Sequence, residues 1–211
     1  MADIQLYYGP GSVALAALIA LEECGAKYEA HQIKLADGEQ RRPDFLGINP
    51  RGQVPVLKVD ATPVRENIGV LTYIAMSFPE SRLLPFAQPL KMAKCYEMMS
   101  WFATNLHTAM AQIFRAERFT QDDAAKASVQ NMGREKFRIS LDQFDEWASS
   151  NDGQWLLGEN ISIADLLAPV TARWAKRLEI DLTAFPSFAA LAERITERPV
   201  AKRALEREGR G

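Results

Sequence analysis

Gly52-Gln53-Val54-Pro55-Val56-Leu57 decides how the first part of the chain folds. Val54 to Val59 is an apolar, β-branched run that reads as a strand. A proline inside it is awkward for a central strand, because it has no N–H to give to the ladder. A cis Val54-Pro55 peptide resolves the conflict, since X-Pro is the bond at which cis costs little. It also turns the Val54 N–H and C=O outward, free to pair with an extended peptide. Upstream, Ile4, Leu6 and Tyr8 alternate with Gln5 and Tyr7 and predict a first strand. Gly9-Pro10-Gly11 ends it, and a helix is expected from Ser12 to Cys24, with Leu15, Leu18 and Ile19 on one face and Gly25 as its C-cap. Tyr28 to Leu35 reads as another strand, followed by a polar stretch to about Pro50. Downstream, Val64 starts a short strand, and Glu66 to Ser77 carries Ile68, Leu71 and Ile74 at helical spacing. The resulting order is strand, helix, strand, then strand, strand, helix. It requires a parallel crossover in the first half and allows an antiparallel hairpin across Asp60-Ala61 in the second.

Beyond about residue 85 the pattern is helical only. Glu80 to Gln88 reads as a Pro-rich linker, and Pro89 suits the first turn of a helix reaching about Phe114. Further helices are expected after Thr120, running towards Trp147, from Ser162 and from Pro186. Asn151-Asp152-Gly153 reads as a turn, and Pro199 as a break before a short basic-acidic tail. Two domains follow, residues 1–80 and 89–211.

The chain has 211 residues, 47% hydrophobic and 25% charged, enough to bury a core without disulfides. A net charge of -2 argues against nucleic acid as a partner. Cys24 and Cys95 are far apart and form no CxxC, so neither a metal site nor a dithiol centre is expected. No run approaches the ~18 apolar residues of a membrane span. The N-terminus lacks a basic region followed by a long apolar stretch, so a cytoplasmic protein is expected.

Two motifs carry chemistry or structure. Glu66-Asn67 stands at a helix start, where free N–H groups and the dipole favour a ligand carboxylate, and where Glu66 could hold a ligand ammonium. Capping by an acidic first turn is the plainer reading. Ser162-Ile163-Ala164-Asp165 is an S-x-x-D capping box, flanked by Ile161 and Leu166 as a hydrophobic staple.

Tyr7-Tyr8-Gly9-Pro10-Gly11, Asn49-Pro50-Arg51-Gly52-Gln53-Val54-Pro55-Val56-Leu57, Glu66-Asn67-Ile68 and Leu157-Gly158-Glu159-Asn160-Ile161-Ser162-Ile163-Ala164-Asp165 occur in that order. The succession resembles the cytosolic glutathione transferases over nearly the whole chain, and most of all their bacterial beta-class members. The resemblance implies an α+β two-domain protein: a thioredoxin-like N-terminal domain, an all-α C-terminal domain, and a homodimer joined along the helix from Pro89 to Phe114. It implies glutathione as co-substrate, with no other cofactor, and a small apolar electrophile as acceptor. Val54, before a cis Pro55, would pair with the cysteinyl backbone of glutathione. Glu66 and Asn67 would hold its γ-glutamyl end, although the family usually has Ser where Asn67 stands. Gln53 and Lys34 would contact its backbone and glycyl carboxylate.

Beta-class members usually carry Cys then Ser soon after Pro-Gly, whereas Val13 and Ala14 stand here. Cys24, three helical turns on, lies about 16 Å away and cannot substitute. Three candidates remain to activate the thiol: Ser12 at a helix N-terminus, Tyr8, and His107, which matches a beta-class His facing the cleft. Thr108 replaces the basic residue common after that His, which would weaken the positive field. Arg173-Trp174 matches a pair in the cleft wall, and Met110, Ile113 and Phe114 are candidates for the acceptor wall. Two functions fit: conjugation of glutathione or a related glutathione-dependent reaction, and binding of glutathione or another ligand without efficient chemistry.

Overall fold

A computed structural model describes residues 2–150 and 153–209; the turn expected at Asn151-Asp152-Gly153 lies largely outside them. The first half contains β1 (Ile4–Tyr8), α1 (Ala14–Glu23), β2 (Glu29–Gln32), α2 (Pro43–Ile48), β3 (Val56–Val59), β4 (Thr62–Arg65) and α3 (Asn67–Ser77). The sheet order is β2-β1-β3-β4. β1 runs parallel to β2, with Leu6 opposite Ala30, and antiparallel to β3, with Leu6 opposite Leu57. β3 and β4 form the expected hairpin, Val59 opposite Thr62. This is a thioredoxin-like domain, built in the order the sequence requires. The Val54-Pro55 peptide is cis, and β3 begins one residue later, at Val56, so the proline stays out of the ladder.

α1 explains the compactness of this half. Ala14 to Leu21 is apolar on every side and entirely buried, as a helix surrounded by other elements must be. It contacts the sheet, α3 and two helices of the second half. Burying Leu15, Leu18, Ile19 and Leu21 contributes roughly 1.5–3 kcal/mol each.

The second half is all helical: α4 (Pro89–Trp101), α5 (His107–Phe114), α6 (Asp123–Ser149), α7 (Leu167–Arg177), α8 (Pro186–Thr196) and α9 (Pro199–Gly209). The single helix expected from Pro89 to Phe114 is continuous but widens into a π-helical turn at Phe102–Leu106. Such a turn advances the register of everything after it, and π turns favour functional sites. α7 starts at Leu167, not Ser162, because the intervening residues close tighter turns first, with Asp165 N–H bonded to the Ser162 carbonyl at 3.1 Å and Leu167 N–H to the Ala164 carbonyl at 3.2 Å. The buried Asp165 carboxylate accepts from Ser162 N–H (2.8 Å), Ser162 Oγ–H (2.6 Å) and, nine residues upstream, Leu156 N–H (2.8 Å). The Ser162–Asp165 pair therefore pins a loop ahead of the helix, but it does not cap α7, whose N-cap Leu166 makes no side-chain capping bond.

The tail expected after Pro199 is in fact α9. It buries Ala201, Ala204 and Glu208 along one stripe and lies against α1. Arg198 donates two hydrogen bonds to Glu23, at 2.6 and 2.8 Å, and Arg203 donates one to Glu22 at 2.9 Å. These charged residues read as a solvated tail in sequence because their partners are some 175–181 residues away. No helix among the described residues is long and apolar enough to cross a membrane.

Candidate functional site: a cleft between sheet and helices

A cleft of about 420 Å³ opens between the thioredoxin-like domain and the helices. From the first half it is lined by Ser12, Val13, Gln40, Asn49, Gln53, Val54, Pro55, Glu66 and Asn67. The second half contributes His107, Met110, Phe114 and Trp174.

The wall around Val54 is shaped by the loop before it. Asn49 is almost fully buried and Nδ2 donates to the Gln53 carbonyl at 2.7 Å, while Oδ1 accepts from Arg51 N–H at 3.2 Å. Gly52 takes φ +61°, and a Cβ there would stand 2.8 Å from the Gln40 carbonyl oxygen. Only glycine fits that corner. Val54 is left with no hydrogen-bond partner for its N–H or C=O among the described residues, so it offers one donor and one acceptor to an extended backbone.

Next to it, Glu66 precedes α3 with φ +65°, a conformation that costs a non-glycine residue of order 1–3 kcal/mol and clusters at functional sites. Its side chain makes no capping bond. It is exposed and accepts from Arg51 Nη1 at 2.6 Å, so the plain capping reading does not hold. Asn67 is the first residue of α3, and its Oδ1 is buried without a partner. Rotation about χ2 exchanges the ends of the amide, so it can offer the cleft a donor or an acceptor. Gln40 Oε1 is likewise buried and unpaired in the same cleft. Two orphaned polar groups in one cleft mark a place for a polar ligand.

The loop before α1 brings Ser12 to the cleft. Its Oγ accepts from Ala14 N–H at 3.2 Å, which leaves the hydroxyl proton free to donate. Val13 also lines the cleft, and Val13 and Ala14 are both buried. The loop is held from the other domain: Trp174 Nε1 donates to the Gly11 carbonyl at 3.0 Å, and Gly11 N–H donates to Glu208 at 3.0 Å. Arg173 pairs with Glu208 behind the wall, while Trp174 faces the cleft.

His107 follows the π turn and enters the cleft beside Trp174 (ring centroids 5.4 Å apart) and Phe102 (6.2 Å). Surrounding protein lowers its pKa, Arg118 lowers it further, and Glu66 opposes the change. The ring is therefore neutral near pH 7.

Two candidates lie elsewhere. Tyr8 is buried outside the lining, and its hydroxyl donates to the Arg207 carbonyl at 3.1 Å. Lys34 is exposed and outside the lining, its N–H given to Glu39. Ile113 is buried but does not line the cleft, whereas Met110 and Phe114 do. Sequence reasoning did not single out Gln40, Arg115, Arg118 and Arg177, all of which line the cleft. The three arginines place positive charge on the cleft lining that the sequence around Thr108 does not indicate. No group of His, Cys, Asp and Glu among the described residues could hold a metal.

A thioredoxin-like sheet with a cis-proline cleft, closed by a helical domain, defines a glutathione-transferase architecture. The chain matches the family models "Glutathione S-transferase, N-terminal domain" over residues 2–76 and "Glutathione S-transferase, C-terminal domain" over residues 95–199. It is 29% identical to glutathione S-transferase GstA of Escherichia coli O157:H7, covering 98% of this chain and 99% of that one. A glutathione transferase homologue from sulfitobacter, solved with bound glutathione, superposes with a TM-score of 0.92 at 28% identity, covering 98% and 99%. The bacterial beta-class glutathione S-transferase of Sphingomonas chungbukensis superposes with a TM-score of 0.82 at 30% identity, covering 97% and 98%. The chain belongs to the glutathione S-transferase family.

Proposed function

We propose that this chain conjugates the thiolate of glutathione to small apolar electrophiles, as a cytoplasmic homodimer of beta-class kind, with Ser12 taking over thiol activation. The observation that carries the proposal is the Ser12 hydroxyl. It stands in the cleft at the start of α1, accepts from Ala14 N–H, and keeps its proton for a sulfur atom.

The rest of the cleft fits the tripeptide. The free N–H and C=O of Val54 pair with its cysteinyl backbone. The N-terminus of α3 and the Asn67 amide take the γ-glutamyl carboxylate, and Glu66 takes its ammonium. Gln53, with Gln40, contacts the remaining backbone. Lys34, outside the lining, and Tyr8, bound to Arg207, have no contact to make. A free thiol has a pKa of about 8.5, and the thiolate is the nucleophile. A hydrogen bond from Ser12 and the positive end of α1 both favour the anion. His107, neutral and beside Trp174, faces the acceptor instead of the sulfur.

A hydrogen bond to a charged group is worth about 1.5–3 kcal/mol. Ser12→Ala should therefore lower kcat/KM for a chlorodinitrobenzene by roughly 10- to 100-fold near pH 7, with a smaller loss at pH values where the free thiol ionises. His107→Ala should change the acceptor KM more than the glutathione KM. The homodimer is checked by light scattering across protein concentration. Val13 and Ala14, which offer neither thiol nor hydroxyl, favour a second reading: glutathione binding with little chemistry. Binding of glutathione without turnover of any activated halide would select it.

A further inference from the structure

The acceptor end of the cleft is strongly cationic on a chain whose net charge is -2. Arg115 and Arg118 follow α5, and Arg177 ends α7; all three are exposed and line the cleft. Glu66 is the one acidic residue in that lining, and it is paired with Arg51. Arg42, Arg51, Arg173, Arg198, Arg203 and Arg207 each find a carboxylate. Among the described residues, Arg115, Arg118 and Arg177 make no such pair, as several arginines elsewhere on the surface also do not; what sets these three apart is that they line one cleft. Arg177 instead lies over the ring of Phe114, its Cζ 4.2 Å from the centroid, which holds a guanidinium and an aromatic face together on the acceptor wall. The field of Arg118 reaches His107, across the same cleft. Three guanidinium groups on one cleft wall, beside Met110, Phe114 and Trp174, are the chemistry that suits a carboxylate carried on an aromatic body.

We propose, resting on the transferase reading but replacing its wholly apolar acceptor, that the preferred acceptor of this cleft is an aromatic electrophile that carries a carboxylate, the carboxylate held by Arg115, Arg118 and Arg177 and the ring laid against Met110, Phe114 and Trp174. With a halogenated acceptor, the glutathione sulfur attacks the ring carbon that bears the halide. A C–S bond forms, and the C–halogen bond breaks with its electron pair leaving on the halide. The thiol proton has already passed to solvent. The arginines fix the far end of the ring so that this carbon faces the sulfur, and neutral analogues lose that anchor.

The test compares a chlorodinitrobenzene bearing both nitro groups ortho to chlorine with the same compound carrying a carboxylate para to chlorine. Each rate is taken relative to its uncatalysed reaction with glutathione. The wild type should favour the carboxylate by about tenfold in this ratio. The preference should shrink with rising salt, a readout that needs no variant. In the triple variant Arg115→Gln/Arg118→Gln/Arg177→Gln it should vanish. A parallel calorimetric titration uses dinitrobenzoate and dinitrobenzamide, which have no leaving halide, and should show the same preference. If neither halide turns over but the benzoate preference persists and needs the arginines, the transfer reading fails and the anion site stands. Equal treatment of charged and neutral compounds by the wild type overturns the proposal. So does a triple variant that loses glutathione affinity as steeply as benzoate affinity, since the arginines would then serve the tripeptide.

Discussion

Gly52→Ala tests whether the corner before the cis proline sets the glutathione site. Gly52 has φ +61°, and an added Cβ would meet the Gln40 carbonyl oxygen at 2.8 Å and Arg41 at 3.1 Å. Left-handed backbone costs a residue with a Cβ about 1–2 kcal/mol. The contact with a backbone carbonyl cannot be relieved by a rotamer change, and overpacking of this kind adds about 1–3 kcal/mol. The variant should therefore lose about 2–5 kcal/mol. For a chain of this size that is a fall in Tm of roughly 4–20 °C, at about 2–4 °C per kcal/mol. Gly25→Ala is the control: its φ is +59°, but nothing lies within 4 Å of the added Cβ. It should lose only the conformational part, about 1–2 kcal/mol. The two also differ at the site. Moving Gln40 and Gln53 displaces two residues that line the cleft with Val54, so Gly52→Ala should bind glutathione more weakly by calorimetry, while Gly25→Ala should bind as the wild type does. Equal stability losses, or an unchanged glutathione affinity in Gly52→Ala, would refute the reasoning.

Burial raises the Asp165 carboxyl to about 6, against hydrogen bonds that lower it. The folded state thus keeps a proton that the unfolded chain releases near pH 4, and this contribution makes stability fall, by about 3 kcal/mol in all, as pH rises from about 4 to 6. Urea denaturation across that window should show the slope, and Asp165→Asn should remove it. Tyr8→Phe deletes the hydrogen bond to the Arg207 carbonyl; it should cost about 0.5–1.5 kcal/mol in urea denaturation and leave the ionisation of bound glutathione where it was. A rise in the pKa of the bound thiol equal to the one expected for Ser12→Ala would return Tyr8 to the chemistry.

Much of the fold was legible because it rests on local rules. The alternation of Ile4, Leu6 and Tyr8, the glycine and proline punctuation, and the awkward Pro55 together required the sheet that forms. Elements settled by distant partners were not legible. α9 looks like a polar tail until Glu22 and Glu23 of α1 are placed beside it. α2 is only six residues long and contains Gly47, a poor helix former, though Pro43 at its first position was a usable signal. The π turn before His107 has no signature in hydrophobic spacing. At the site, Ser12, Gln53, Val54, Pro55, Glu66, Asn67 and His107 come together in one cleft. Arg115, Arg118 and Arg177 could not be found in advance, because exposed arginines at helix ends are ordinary and only the fold brings these three round one pocket.

Ser12 is proposed to hold bound glutathione as a thiolate in this cleft. The most direct measurement is a pH titration of the ultraviolet thiolate absorbance of glutathione bound to the wild-type protein and to Ser12→Ala. The wild type should ionise the thiol well below its free value of about 8.5, and Ser12→Ala should bring it back towards that value. A bound thiol that titrates like free glutathione in the wild type, or an identical depression in both proteins, would contradict the account.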